Sequence, residues 1–141
     1  MPASRPPPVV PFLKIGVGGE PYLEGHVCKL CAATFLGERS VCSRCGARDQ
    51  MELRALSNAG TLYTYSIVFR SLPGIEVPYI SAVVDLEGGG SIKGNLIGVR
   101  PEPNDIRFGM PVSVVYNDVQ GRGDKEGASC LTYFFQPRDR A

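Results

Sequence analysis

Four of the five cysteines form two Cys-x-x-Cys pairs. The pairs are Cys28–Cys31 and Cys42–Cys45, and ten residues separate them. Each pair can close a tight turn that presents two thiolates, and four thiolates in a tetrahedron are a ligand set that Zn²⁺ prefers. Because four sulfurs leave no coordination position for water or substrate, the spacing predicts a structural rather than a catalytic zinc site.

The remaining reactive side chains offer no catalytic arrangement. His26 is the only histidine, so a Ser-His-Asp or Cys-His site could be built only around it. Four thiolates already saturate the ion, and we expect His26 to have a surface or supporting role near the cysteines. Cys130 begins an apolar stretch and is expected to pack as a small hydrophobic side chain.

Basic residues are concentrated among and after the cysteines. Arg39, Arg44 and Arg48 could contact phosphates, either those of a nucleic acid or those of a nucleotide-bearing cofactor. The alternative is that they only keep this surface soluble. Three tyrosines, Tyr63, Tyr65 and Tyr79, could stack on bases, but they are equally ordinary residues of a barrel or an interface.

Composition limits the class of protein. The chain has 141 residues, 43% of them hydrophobic and 21% charged, with a formal net charge of +1. This charge gives no general attraction for nucleic acid or an acidic membrane. The prolines of residues 1–8 interrupt any signal-peptide helix, and no apolar run is long enough to span a bilayer. We therefore expect a cytoplasmic protein, in a reducing compartment where paired cysteines bind metal.

The chain divides by pattern into three segments. Residues 1–22 are a Pro/Gly-rich arm, which we expect to hold no regular element and to lie extended on another surface, with a disordered tail as the alternative. Residues 23–54 form the zinc ribbon, a segment too small to hold a core without its metal. Residues 55–141 are expected to form a β domain.

The β domain contains five apolar, alternating segments. They lie at about 61–69, 77–86, 91–99, 111–117 and 130–136. Residues 87–91 predict a glycine-rich hairpin, Gly94 and Gly98 predict a bend or bulge, and at most one helical turn is expected near Pro103. Five strands suit a closed OB-type barrel, so the predicted fold is mainly β: an arm, a rubredoxin-like ribbon and a five-stranded OB barrel.

The order of motifs resembles a known family. The ribbon is followed by Gly60–Ser66, Val77–Tyr79, Val83–Leu86, Gly109–Val112 and Tyr133–Pro137. This series resembles the zinc-ribbon/OB-fold proteins associated with acyl-CoA enzymes, over residues 22–138. Many members begin with a helix before the ribbon, and here prolines exclude one.

The resemblance implies a non-catalytic accessory subunit. Such proteins form heteromeric complexes with thiolase-fold enzymes, including thiolases, acyltransferases and aldolases, or with hot-dog-fold hydratases. The catalytic groups then belong to the partner, and this chain stabilises it and helps to shape the acyl-CoA entrance. A coenzyme A thioester would be a ligand of the complex, and Arg39, Arg44 and Arg48 are candidates for contacting its phosphates. A single-stranded nucleic-acid-binding protein is the alternative, against which the near-neutral charge argues.

Overall fold

The fold is built almost entirely from short β-strands. A computed structural model describes residues 8–120 and 129–138. Within them one 3₁₀ turn, Pro103–Asp105, is the helical element, and no described helix is long and apolar enough to cross a membrane. The strands are β1 Leu13–Ile15, β2 Pro21–Cys28, β3 Thr34–Phe35, β4 Met51–Ala55, β5 Ala59–Val68, β6 Tyr79–Leu86, β7 Ser91–Leu96, β8 Pro111–Gln120 and β9 Ser129–Pro137.

Two compact units divide these strands. The first comprises the described residues of Met1–Leu56 and Tyr116–Thr132, and the second those of Ser57–Val115 and Tyr133–Ala141. The cysteines of both pairs lie in the first unit, ahead of the barrel in the chain.

Strand β2 is the centre of the first unit's sheet. It pairs antiparallel with β1 and β3 along one edge and with β4 along the other. A turn joins β1 to β2: the Gly16 N–H donates to the Glu20 carbonyl over 2.8 Å, and Gly19 has φ +87°. This left-handed backbone is one that glycine adopts without a steric penalty.

The expectation that residues 1–22 hold no regular element is therefore wrong. Leu13 pairs with Leu23 in the β1–β2 hairpin, and only 1% of the Leu13 surface is exposed. Leu13 is covered by the chain's own sheet rather than by another surface, because the glycines allow the arm to turn back, whereas Val9, Ile15 and Val17 are exposed. Val27, also buried, extends this core along β2.

The second half of the chain contains a closed barrel with the strand order β5-β6-β7-β9-β8. The ladders are antiparallel from β5 to β6 and from β6 to β7, whereas β7 and β9 are parallel through Asn95 and Phe134. The predicted fold class, mainly β with a five-stranded barrel, is confirmed. Its core contains Leu62, Ile80, Ala82, Val84, Leu86, Ile92, Leu96, Val112 and Phe135.

Glycines act at two kinds of position in the barrel. The hairpin between β6 and β7 turns at Gly88–Gly90, all with positive φ, as the sequence predicts. The predicted bend is present at Gly98, just after β7, where φ is +78°, whereas the bulge is in β5, between Leu62 and Thr64. Gly94 pairs regularly with Ala82, and it is small because the rings of Tyr133 and Phe135 lie against its backbone.

Candidate metal centre

The two cysteine pairs occupy turns with the same backbone hydrogen bonds. In the first turn the Ala32 N–H donates to the Cys28 carbonyl over 2.8 Å, and the Cys28 N–H donates to Ala33 over 2.9 Å. In the second turn the Gly46 N–H donates to the Cys42 carbonyl, and the Cys42 N–H donates to the Ala47 carbonyl, each over 2.9 Å.

Both turns require a left-handed residue at the same position. Ala32 has φ +63° and Gly46 has φ +79°. Glycine is the residue expected after such a pair, and alanine pays a steric cost in this conformation. The first turn is anchored by strand β2, which ends at Cys28, and by the Lys29 N–H, which donates to the Gln50 carbonyl over 2.8 Å.

The turns bring the four sulfurs together. The four Sγ atoms lie within 4.8 Å of one another. Two of these distances cross between the turns: 3.7 Å from the Cys28 sulfur to that of Cys45 and 3.5 Å from the Cys31 sulfur to that of Cys42. Sulfurs at about 2.3 Å from one tetrahedral Zn²⁺ are about 3.8 Å apart, so the donor set and its spacing fit a metal ion.

Backbone donors favour the thiolate form at two of the sulfurs. The Cys45 N–H, which lies 3.5 Å from the Cys42 sulfur, and then the Arg44 N–H lower the pKa of the Cys42 thiol to about 6, against the opposing effect of burial. At Cys28 the N–H of Cys31 is the main cause of a lowered pKa. Deprotonated sulfur is the form that binds metal.

The other two reactive residues lie outside the sulfur cluster. His26, half-buried on β2, is opposite Phe35 of β3 and Leu53 of β4. Cys130 is half-buried on β9 and is not among the four clustered sulfurs. Within residues 8–120 and 129–138, the metal cluster consists of the four predicted cysteines.

The three candidate arginines follow one another around the second turn and are all exposed. Arg39 stacks over the Phe35 ring, with its guanidinium carbon 3.9 Å from the ring centroid. Arg44 lies between Cys42 and Cys45. Arg48 forms an isolated antiparallel β-bridge with Val41 at the start of the turn. None of the three forms an ion pair with a residue in the described part of the chain.

Carboxylates do not form a catalytic pair in the described ranges. Asp85 accepts a hydrogen bond of 2.6 Å from the Ser91 hydroxyl, and Asp105 is paired with Arg100 at 2.8 Å. No described polar or charged side chain is fully buried.

Sequence reasoning missed a groove on the first unit. Its cavity volume is about 620 Å³, and Phe12, Leu36 and Leu53 supply apolar walls while Glu24 and Glu38 supply charge. The groove depends on the arm turning back over the sheet, which the Pro/Gly-rich sequence did not indicate. The alternation of apolar residues on both sides of Gly16–Gly19 was the available signal.

Comparison with known proteins identifies the family. Residues 53–117 match the family model described as ChsH2, C-terminal OB-fold domain. A DUF35 domain-containing scaffold protein of Methanocaldococcus jannaschii is 33% identical over 117 residues, covering 82% of this chain and 81% of the relative. The benzoylsuccinyl-CoA thiolase subunit BbsA of Thauera aromatica is 29% identical, covering 84% and 78%.

A solved structure agrees with these matches. A chain described as Ltp2-ChsH2(DUF35) aldolase aligns with a TM-score of 0.63 and 26% identity, covering 82% of this chain and 84% of that chain. The resemblance inferred from the motifs, to zinc-ribbon/OB-fold proteins, is confirmed. The chain belongs to the family of DUF35 domain-containing proteins.

Proposed function

We propose that this chain is a non-catalytic accessory subunit of a thiolase-fold enzyme that acts on acyl-CoA thioesters. The observation that carries the proposal is its similarity, over 84% of its length, to a relative that is itself named a thiolase subunit. The similarity to a chain of an aldolase complex and to a scaffold protein supports the same role. A hot-dog-fold hydratase is the alternative partner.

The chemistry of the described residues is consistent with an accessory role. The cysteines offer a closed set of four thiolates, which leaves no position for a substrate. We propose that they hold structural zinc, and that the chain works in the cytoplasm, where the thiols stay reduced. Bound zinc would stiffen the two turns, and the chain's own residues would then present surfaces to the partner.

The loop between β5 and β6 is our candidate surface for the thiolase-fold subunit. Its side chains Phe69 and Leu72 are 68% and 74% exposed, and Val77 is also exposed. Three large apolar side chains within ten residues are costly to leave in water. Contact with an enzyme subunit would cover them.

Coenzyme A is the proposed ligand of the complex. Arg39, Arg44 and Arg48 are exposed and free of ion pairs with described residues, which leaves their guanidinium groups available for phosphates. Through these contacts the chain would help to shape the acyl-CoA entrance of the enzyme.

Co-expression with thiolase-fold proteins of the same genome tests the proposal. We expect a stable heteromer that survives size-exclusion chromatography, with acyl-CoA turnover that neither chain shows alone. Leu72→Asp should abolish co-purification, whereas Leu30→Asp, at a residue 70% exposed in the first cysteine turn, should not. A chain that ignores the thiolase but binds a hydratase would replace the proposed partner, and one that binds neither would overturn the proposal.

A further inference from the structure

Strand β4 has an unpaired edge in the described part of the chain. One side of Met51–Ala55 pairs with β2, and no described strand pairs with the other side. Leu53, at the centre of β4, is 62% exposed, and Arg54 and Ala55 are exposed beside it. An open edge presents free N–H and C=O groups that another strand can pair with.

The hydrogen bonds to β2 define which backbone groups face outwards. The Leu56 N–H donates to the Leu23 carbonyl, and the Lys29 N–H donates to the Gln50 carbonyl, each over 2.8 Å. In an antiparallel ladder alternate residues bond to the same neighbour. The backbone N–H and C=O groups of residues 50, 52, 54 and 56 therefore point to β2. Those of Met51, Leu53 and Ala55 point to the open edge.

The sequence of β4 is complementary to itself when reversed. Met-Glu-Leu-Arg-Ala alternates apolar, acidic, apolar, basic and apolar residues about Leu53. If two copies pair antiparallel with Leu53 opposite Leu53, then Glu52 of each copy faces Arg54 of the other. Opposite charges directly across a ladder stabilise it.

The outward-facing backbone groups and the charge pairs select the same register. Pairing centred on Leu53 places Met51 opposite Ala55, so the three outward-facing residues of one copy meet those of the other and all can form hydrogen bonds. Glu52 and Arg54 lie on one face of the strand and already form an ion pair of 2.5 Å within the chain, with side chains 41% and 56% exposed. Both charged groups are therefore available for exchange between copies.

We propose that β4 is a self-association edge, through which two copies of this chain form one continuous antiparallel sheet. A second copy fits better than an unrelated strand, because a two-fold axis through Leu53 places Glu52 of each copy opposite Arg54 of the other. The inference does not depend on the proposed function, since it concerns only this chain.

Charge reversal at the two positions tests the proposal on the full chain by analytical ultracentrifugation. Glu52→Arg places like charges opposite Arg54 of the second copy, and Arg54→Glu places like charges opposite Glu52. Each single variant should associate roughly tenfold more weakly, the scale expected for two reversed cross-strand pairs. An equimolar mixture of the two variants should recover association, because each then meets opposite charge in the other.

The double variant E52R/R54E is the matched control, since it restores complementarity within one sequence and should associate like the parent. Circular dichroism and zinc content should be unchanged in all four proteins, because the positions are exposed. If the chain is obtained only with its partner subunit, native mass spectrometry of the complexes makes the same comparison. A parent that stays monomeric, or single variants whose mixture does not recover association, would overturn the proposal, as would loss of enzyme-partner binding without any change in self-association.

Discussion

The Sγ atom of Cys31 lies 3.5 Å from that of Cys42, in the opposite turn, and the Cys28 and Cys45 sulfurs approach to 3.7 Å in the same crossed manner. Each turn thus places its sulfurs against those of the other turn. Neither pair alone would be a metal site, and the two turns are expected to bind or lose the ion together.

Removing one thiolate should therefore remove the metal. We expect Cys42→Ser to reduce bound zinc from about one ion per chain to a small fraction of that, because three sulfurs bind far more weakly than four. Inductively coupled plasma mass spectrometry measures the content. Cys130→Ser is the control, since this thiol lies outside the cluster, and equal losses in both variants would contradict the assignment.

Gly60 should tolerate no side chain. A Cβ at this position would collide with the Asp85 carbonyl oxygen and lie 2.8 Å from the Val84 side chain. We expect Gly60→Ala to lower the free energy of unfolding by about 1–3 kcal/mol, because backbone of β6 must move. In Gly37→Ala, where the added Cβ meets no heavy atom within 4 Å, thermal unfolding should be close to that of the parent. Similar unfolding midpoints for the two variants would count against the close β5–β6 approach.

The arginines around the second turn should affect substrate binding rather than stability. If they contact coenzyme A phosphates, replacing Arg39, Arg44 and Arg48 together with glutamine should raise the KM of the complex for its thioester several-fold with a smaller effect on kcat. Steady-state kinetics of the co-expressed complex provides the measurement. Arg100→Gln, which removes one 79% exposed arginine outside this turn, should leave KM unchanged, and an unchanged KM in the triple variant rejects the contact.

Alkaline pH should destabilise the fold through Tyr133. Burial raises the pKa of its phenol to about 12, and its hydroxyl donates to the Lys93 carbonyl. An unfolded tyrosine ionises at about pH 10, so the stabilising effect of burying the neutral phenol is complete below that pH and is lost as the pH rises towards 12.

Tyr133→Phe should consequently flatten the loss of stability between about pH 10 and 12, since phenylalanine has no proton to release. Urea unfolding at several pH values checks this. Part of the decline should persist, because burial also raises the pKa of Tyr116 to about 12. Parallel declines in parent and variant would show that Tyr133 contributes nothing to them.

Local patterns predicted most of the barrel. The alternation of apolar residues located all five strands, and the glycine-rich hairpin and the short helical turn near Pro103 are present. The closure of the barrel could not be predicted from local patterns, because the parallel pairing of Asn95 with Phe134 joins residues that are far apart in the chain. The β1–β2 hairpin was missed because proline and glycine were dense enough around Leu13 to suggest an extended arm without regular structure.

The candidate site was predictable to the extent that its ligands are local. Two Cys-x-x-Cys turns are short-range structures, so spacing alone located the four sulfurs. The roles of Arg39, Arg44 and Arg48 depend on a partner and a ligand, and they remain predictions. The segment boundaries 1–22, 23–54 and 55–141 likewise remain predictions, although Leu13 packs in the same hairpin as Leu23.

The hairpin between β1 and β2 determines how short this protein can be made. A fragment that starts at residue 21 would keep both cysteine turns but lose β1, so the buried Leu23 would be uncovered and one edge of β2 would lose its neighbour. Such an apolar, unpaired strand tends to aggregate. The shortest version of the ribbon that stays in solution should therefore begin before Leu13, although all four clustered cysteines lie at or after Cys28.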